Sequence, residues 1–192
     1  MNNHNFRLCT LLVSALALNG CAAVAVTGAA AGASVAADTR TTGTVIEDQS
    51  IEFKTGRAFS ADKELDEKAH INTTSYNTVV LLTGEAPTEQ LRQRAVELAR
   101  NIERVTHVHN EITIAAPSSL MSRSSDTVIT SKVKTKLLAD KDVSGLNIKV
   151  VTEKGVVYLM GLSSRRQADR ATELSRTTGG VQKVVKLFQY TD

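Results

Sequence analysis

The chain has 192 residues with 4% aromatic side chains, no tryptophan and two cysteines, so its cores depend on aliphatic packing and a disulfide framework is excluded. The formal net charge of +3 conceals an asymmetry, because residues 46–115 hold eight Lys or Arg against twelve Asp or Glu, net −4. Residues 116–192 hold thirteen against seven, net +6, which favours an anionic partner for this half.

The N-terminus has the layout of a secretory signal. Residues 1–20 carry one basic residue, Arg7, before a mainly apolar run at 8–18 that is too short to span a bilayer. The run ends in Leu-Asn-Gly-Cys, which resembles a bacterial lipobox, so cleavage is predicted to leave Cys21 as an acylated N-terminus. An ordinary cleavage site or an uncut anchor is the alternative. Residues 21–45 are low in complexity and are predicted to form a lipidated, flexible tether.

An internal repeat organises the rest of the chain. Residues 79–84 read Val-Val-Leu-Leu-Thr-Gly, and 77 positions later residues 156–161 read Val-Val-Tyr-Leu-Met-Gly. Two copies at this period predict tandem small domains rather than a solenoid. We place the first domain at 46–115, a serine-rich linker at 116–125 and the second domain at 126–192. Each domain is expected to fold independently.

The first copy is predicted to run helix, strand, strand, helix, strand. Ser50 is a plausible N-cap for the first helix, and the hairpin is expected to turn at Tyr76-Asn77, since asparagine tolerates the left-handed conformation. Apolar residues then recur at helical spacing in a second helix. They are followed by a last strand, whose apolar positions include Val108, Ile112 and Ile114.

The second copy repeats this order. Asp126 is predicted to cap a helix with Ile129, Val133 and Leu137 at successive i+4 steps, and Ser164 to cap the second helix. The hairpin is expected at 154–155. The predicted fold class is α+β, with two tandem small α/β sandwiches of order αββαβ. In each sandwich a three-stranded mixed sheet packs on two helices.

These residues also carry a family resemblance. A glycine closes the second strand of each copy, Gly84 and Gly161, and a valine opens each last strand, Val105 and Val181. This unit is similar to a BON domain, and segment 130–138 is its most specific stretch. Two such units behind a lipobox resemble the dual BON-domain outer-membrane lipoproteins of Gram-negative bacteria, the DolP type. The resemblance implies a non-enzymatic periplasmic protein that binds anionic phospholipid and supports outer-membrane integrity.

The resemblance implies that the first helix of the second copy carries the lipid-binding residues. On this helix we expect lysines at the headgroups and apolar side chains at the interface: Val128, Ile129, Lys132, Lys134 and Lys136. Helix periodicity alone also allows these lysines to be the solvated margin of an ordinary core helix. Family members can carry an aromatic where this chain has Val128, so the interaction here is expected to be weaker or more electrostatic. The alternative function is a protein-interaction adaptor of the cell envelope.

Other chemistry finds little support in the sequence. His107, His109 and Glu111 alternate along one strand, but the second copy has no counterparts, so they are interpreted as solvated residues rather than metal ligands. No nucleophile elbow or phosphate-binding glycine loop occurs, and no catalytic residue or cofactor is predicted. Nucleic acid is disfavoured as a partner, because no aromatic platform accompanies the lysines and an exported lipoprotein would not meet it.

Overall fold

The computed structural model describes residues 40–117 and 120–192, so the predicted signal, Cys21 and most of the tether lie outside the described residues. The first copy consists of α1 (Thr42–Ala61), α2 (Lys63–Lys68), β1 (His70–Tyr76), β2 (Val79–Ala86), α3 (Glu89–Arg100) and β3 (His107–Ile114). The second consists of α4 (Leu120–Ala139), a 3₁₀ turn (Gly145–Asn147), β4 (Ile148–Glu153), β5 (Val156–Ser163), α5 (Arg165–Arg176) and β6 (Lys183–Tyr190).

Both sheets have the predicted mixed topology. In the first copy β1 pairs antiparallel and β3 pairs parallel with the central strand β2, and β4, β5 and β6 repeat the arrangement in the second. Alternate residues of each central strand point to opposite faces. Val80 and Leu82 enter one helix-covered core, and Val157 and Leu159 enter the other. The predicted fold class is therefore confirmed.

Two helices begin earlier than predicted. Helix α1 starts at Thr42 because the Thr41 hydroxyl accepts from the amide of Thr44 at 3.1 Å, so Ser50 lies inside the helix and is not its cap. Helix α4 starts at Leu120, and it therefore occupies half of the segment predicted to be a linker. Asp126 consequently lies one and a half turns inside the helix. Ser164 does cap its helix, by accepting from the amide of Gln167.

Asp126 has a different role, which the first copy shares. Its carboxylate accepts from the backbone amides of Lys154 and Gly155, at 2.8 and 2.9 Å, and so ties the helix to the β4–β5 turn. In the first copy Asp48 accepts from the amides of residues 77–78 at 2.7 and 2.8 Å. These turn residues have positive φ, which orients successive amides towards one carboxylate. The first turn is thus centred one residue later than predicted.

The sheet faces turned away from the helices pack against each other. Tyr76 and Leu81 of the first copy form a buried cluster with Tyr158 and Met160 of the second. Polar contacts accompany it: the Tyr76 hydroxyl donates to the carbonyl of Asn147 at 3.0 Å. The two copies therefore share a third core, which the prediction of independent folding did not include. The sequence contained a signal for this packing, because the apolar residues of β2 and β5 are uninterrupted. A strand with one solvent-exposed face instead alternates between apolar and polar residues.

Candidate functional site

The three sides of helix α4 have different surroundings. The side facing the sheet carries Ile129, Val133 and Leu137, all buried in the core of the second copy. Ile129 is 8% exposed and approaches Gly180 so closely that a Cβ there would lie 3.0 Å from its side chain. The expectation that Ile129 reaches a bilayer surface is therefore wrong, because the same i+4 stripe that defines the helix face also assigns Ile129 to the core.

The outer side of α4 borders an open groove of about 670 Å³. Val128, 53% exposed, lies in this groove with Lys132 and Lys136 of the same helix, and Thr178 and Gly179 form the opposite edge. The groove is lined mostly by apolar surface. Apolar surface next to ammonium groups suits an amphipathic ligand that has an anionic head.

The two groove lysines are not equivalent. Lys136 donates from Nζ to the carbonyl of Thr177 at 2.9 Å, which stabilises the C-terminal end of α5 and holds the ammonium at the groove. Lys132 is exposed and makes no hydrogen bond or ion pair with the residues in the described ranges. Lys132 is therefore the side chain whose charge is available to a ligand without loss of an internal contact.

Further apolar surface lies near the C-terminal end of α4, where sequence reasoning assigned none. Leu138 and Leu146 are 56% and 60% exposed. Leu138 follows Val128 by ten residues, close to three helical turns, so a helical count finds it. The position of Leu146 depends on Gly145, because a residue without a side chain lets this loop lie against the helix. A Cβ there would be 2.6 Å from the carbonyl oxygen of Leu137.

Lys134 lies on a third side of α4. It borders a second cleft together with His70 of the first copy, and Thr127 and Ser131 of the helix line both this cleft and the outer groove. Three lysines grouped by the sequence are thus divided by the fold, with Lys132 and Lys136 at the outer groove and Lys134 at the boundary between the domains.

The histidine-rich strand β3 contacts the second copy. Glu111 accepts from the hydroxyl of Tyr158 at 3.4 Å, and His109 is half-buried beside His107, with ring centroids 4.5 Å apart. Burial, followed by the charge of His107, lowers the pKa of His109. Within the described ranges no group of three or more His, Cys, Asp or Glu side chains is arranged to hold a metal ion. None of the helices in residues 40–117 and 120–192 is both long and apolar enough to cross a bilayer.

Comparison with known proteins first defines the class. The BON-domain model matches the chain twice, at residues 47–116 and 125–192. Each match contains one αββαβ unit with its three-stranded mixed sheet. The chain therefore belongs to the BON-domain family, as the glycine and valine positions of its repeat predict.

Individual relatives show which kind of BON-domain protein the chain resembles. The chain is 38% identical to the outer membrane lipoprotein DolP of Haemophilus influenzae, across 97% of this chain and 96% of that protein. It is 40% identical to a 21 kDa hemolysin of Actinobacillus pleuropneumoniae, across 80% and 79% of the two chains. It is 31% identical to osmotically-inducible protein Y of Escherichia coli, across 92% and 90%. The predicted dual BON-domain lipoprotein of the DolP type, located at the outer membrane, is confirmed.

Proposed function

We propose that this lipoprotein binds anionic phospholipid through the outer side of α4 and thereby supports outer-membrane integrity, with no catalytic step. The observation that carries the proposal is the groove in which exposed Val128 lies on the same side of α4 as Lys132 and Lys136. The second copy is net basic, so it attracts an anionic surface, and the acidic first copy does not. Each lysine close to such a surface contributes about 1 kcal/mol to binding.

Anchoring supports this weak interaction. We propose that Cys21 is the acylated N-terminus that attaches the chain to the outer membrane, with the body in the periplasm. Several acyl chains on one residue give stable attachment, whereas one chain is marginal. Attachment raises the effective concentration of phospholipid headgroups around α4, so that contacts of modest affinity become occupied.

The anchor is tested by intact-mass analysis of protein extracted from membranes. The expected mass is that of residues 21–192 plus the acyl groups on Cys21, because the lipobox directs cleavage before that residue. Cys21→Ser is expected to yield an unacylated chain that is lost from the membrane fraction. An unmodified Cys21, or a chain that still begins at Met1, would contradict the proposal.

The membrane surface is tested by vesicle binding of residues 21–192 carrying Cys21→Ser, which removes the anchor. Lys132→Glu is expected to weaken binding to anionic vesicles by roughly 2 kcal/mol, about thirtyfold, because one attraction is replaced by one repulsion. Val128→Trp is expected to tighten binding by about tenfold, since an indole buries more apolar area at the interface. High salt is expected to erode the binding of the parent protein.

The matched control is Lys183→Glu, which changes the charge of the same domain equally but lies on β6 outside the groove. It is expected to alter vesicle binding much less than Lys132→Glu. Equal losses in the two variants would indicate attraction by net charge alone. If the parent binds neutral vesicles as well as anionic ones, or Lys132→Glu has no effect, the envelope-protein adaptor replaces phospholipid binding as the function.

A further inference from the structure

A second cleft lies on the other side of α4, between the two domains. Its volume is about 580 Å³, within the range of small-molecule sites, which occur preferentially at domain interfaces. One wall comes from His70 and Asn72 on β1 of the first copy. The other comes from α4 and from the end of β4, including Glu153. A ligand here would contact both domains at once.

One part of the cleft is cationic. Lys134 is exposed and forms no ion pair or hydrogen bond with any residue that the structure describes, so its ammonium group is available. Arg123 also lines the cleft, on the same side of α4 but about three helical turns, roughly 16 Å along the axis, before Lys134. Burial, and then the charge of Arg123, lower the pKa of His70, so its charged form is disfavoured.

Another part of the cleft presents hydrogen-bond acceptors. The hydroxyl of Thr127 already donates to the carbonyl of Arg123 at 3.1 Å, and that of Ser131 donates to the carbonyl of Thr127 at 3.0 Å. Each hydroxyl has a single proton, so these oxygens offer a ligand only their lone pairs. Glu153 is 9% exposed, and from the first copy it accepts a long 3.5 Å hydrogen bond from the Asn72 amide.

The carboxyl of Glu153 is in surroundings that favour a cation beside it. Burial, then the charges of Glu85 and Asp126, raise its pKa above the usual range. The two oxygens of Asp126 are occupied by the amides of the β4–β5 turn. The Lys154 ammonium lies 2.7 Å from Glu85. An ammonium group entering the cleft would therefore reduce the repulsion around Glu153.

This distribution of charge discriminates between ligands. A purely anionic ligand would meet the carboxylates of Glu153 and Asp126, and a purely cationic one would meet Lys134 and Arg123. We propose that the cleft binds a small zwitterion, with its phosphate or carboxylate at Lys134 and its ammonium at Glu153. This site is distinct from the outer groove, which contains lysines and apolar surface but no carboxylate. Such a ligand has two sources, the phosphoethanolamine head group of a lipid or a free amino acid.

The test is a chemical-shift titration of isotope-labelled residues 21–192 carrying Cys21→Ser, with sn-glycero-3-phosphoethanolamine and, separately, with alanine. Saturable shifts are expected at His70, Asn72 and the cleft side of α4, with a dissociation constant on the order of 1 mM or lower. Glycerol 3-phosphate and ethanolamine, which each carry charge of one sign only, are expected to bind about tenfold more weakly. Stronger binding of the phosphodiester than of alanine identifies a lipid head group as the source, and the reverse identifies an amino acid.

Variants separate the cleft from the groove. Lys134→Ala is expected to weaken zwitterion binding by about tenfold, while the matched Lys132→Ala leaves it unchanged. Glu153→Gln is expected to weaken zwitterion binding. Glycerol 3-phosphate and the zwitterion are then expected to bind this variant equally well. Spectra that otherwise superimpose on the parent show that each variant is folded.

Three results would overturn the proposal. The first is an absence of shifts with either zwitterion up to about 20 mM, well above the expected dissociation constant. The second is a set of shifts confined to Val128, Lys132 and Gly179, which would assign binding to the outer groove. The third is glycerol 3-phosphate binding to the parent as tightly as the zwitterions, which would make the cleft a simple anion site.

Discussion

Gly84→Ala is expected to lower the free energy of unfolding by about 4 kcal/mol, because alanine is excluded there both by backbone conformation and by space. Gly84 lies inside β2, two residues before its end, with φ of +112°, and a Cβ would lie 2.0 Å from the carbonyl oxygen of His70 on the paired strand β1. Relief would require β1 and β2 to separate at the Ile71–Gly84 pair. Urea unfolding followed by circular dichroism measures the change.

Gly56→Ala is the control for this substitution. Gly56 lies inside α1, and a Cβ there would meet no atom within 4 Å. Alanine is therefore expected to raise the free energy of unfolding by about 0.8 kcal/mol through its higher helix propensity. If the free energy of unfolding of Gly84→Ala lies within about 0.5 kcal/mol of the parent value, the glycine near the end of β2 is not required by strand packing.

Lys154→Met is expected to destabilise the protein by about 3 kcal/mol, because it removes a cation that lies against a buried carboxylate. Glu85 belongs to β2 of the first copy, and its side chain is fully buried. Lys154 belongs to the hairpin turn of the second copy, and its ammonium lies 2.7 Å from that carboxylate. Methionine keeps the length of the side chain and removes only the charge and its donors. Urea unfolding again provides the measurement.

Two further variants identify the cause of this loss. Lys149→Met removes another interdomain ion pair, with Glu52 at 3.5 Å, but both partners are partly exposed, so the expected cost is below about 0.5 kcal/mol. Adding Glu85→Gln to Lys154→Met is expected to recover part of the stability, because the buried group that lost the lysine is then neutral. Equal costs for the two lysine variants would show that burial of Glu85 does not contribute to domain docking.

The order of elements could be read from the sequence because it depends on local geometry. Helical stripes recur at 3 and 4 residues, turns require residues that accept positive φ, and both signals occur twice at the period of the repeat. The same local rules assign Ile129, Val133 and Leu137 to one buried side of α4. Applied consistently, they place Ile129 in the core and leave Val128 as the apolar residue on the outside.

Helix starts were less predictable. Asp126 has the side chain of a helix cap, but its oxygens accept from a turn 28 residues further along the chain, and the helix begins upstream at Leu120. A carboxylate can accept equally from the first turn of its own helix or from a distant hairpin, and the choice depends on which amides the fold brings near it. The repeat contained a usable signal, since Asp48 and Asp126 occupy matching positions in the two copies.

Local sequence patterns predict two αββαβ units, a glycine near the end of each second strand and a basic first helix in the second copy. Only the tertiary structure showed that Tyr76 and Leu81 pack against Tyr158 and Met160, and that Lys134 faces the other domain while Lys132 does not. The physical reason is the range of the interactions. Backbone hydrogen bonds and side-chain periodicity act over a few residues, whereas contact between the two sheets joins segments about eighty residues apart, which no local pattern specifies.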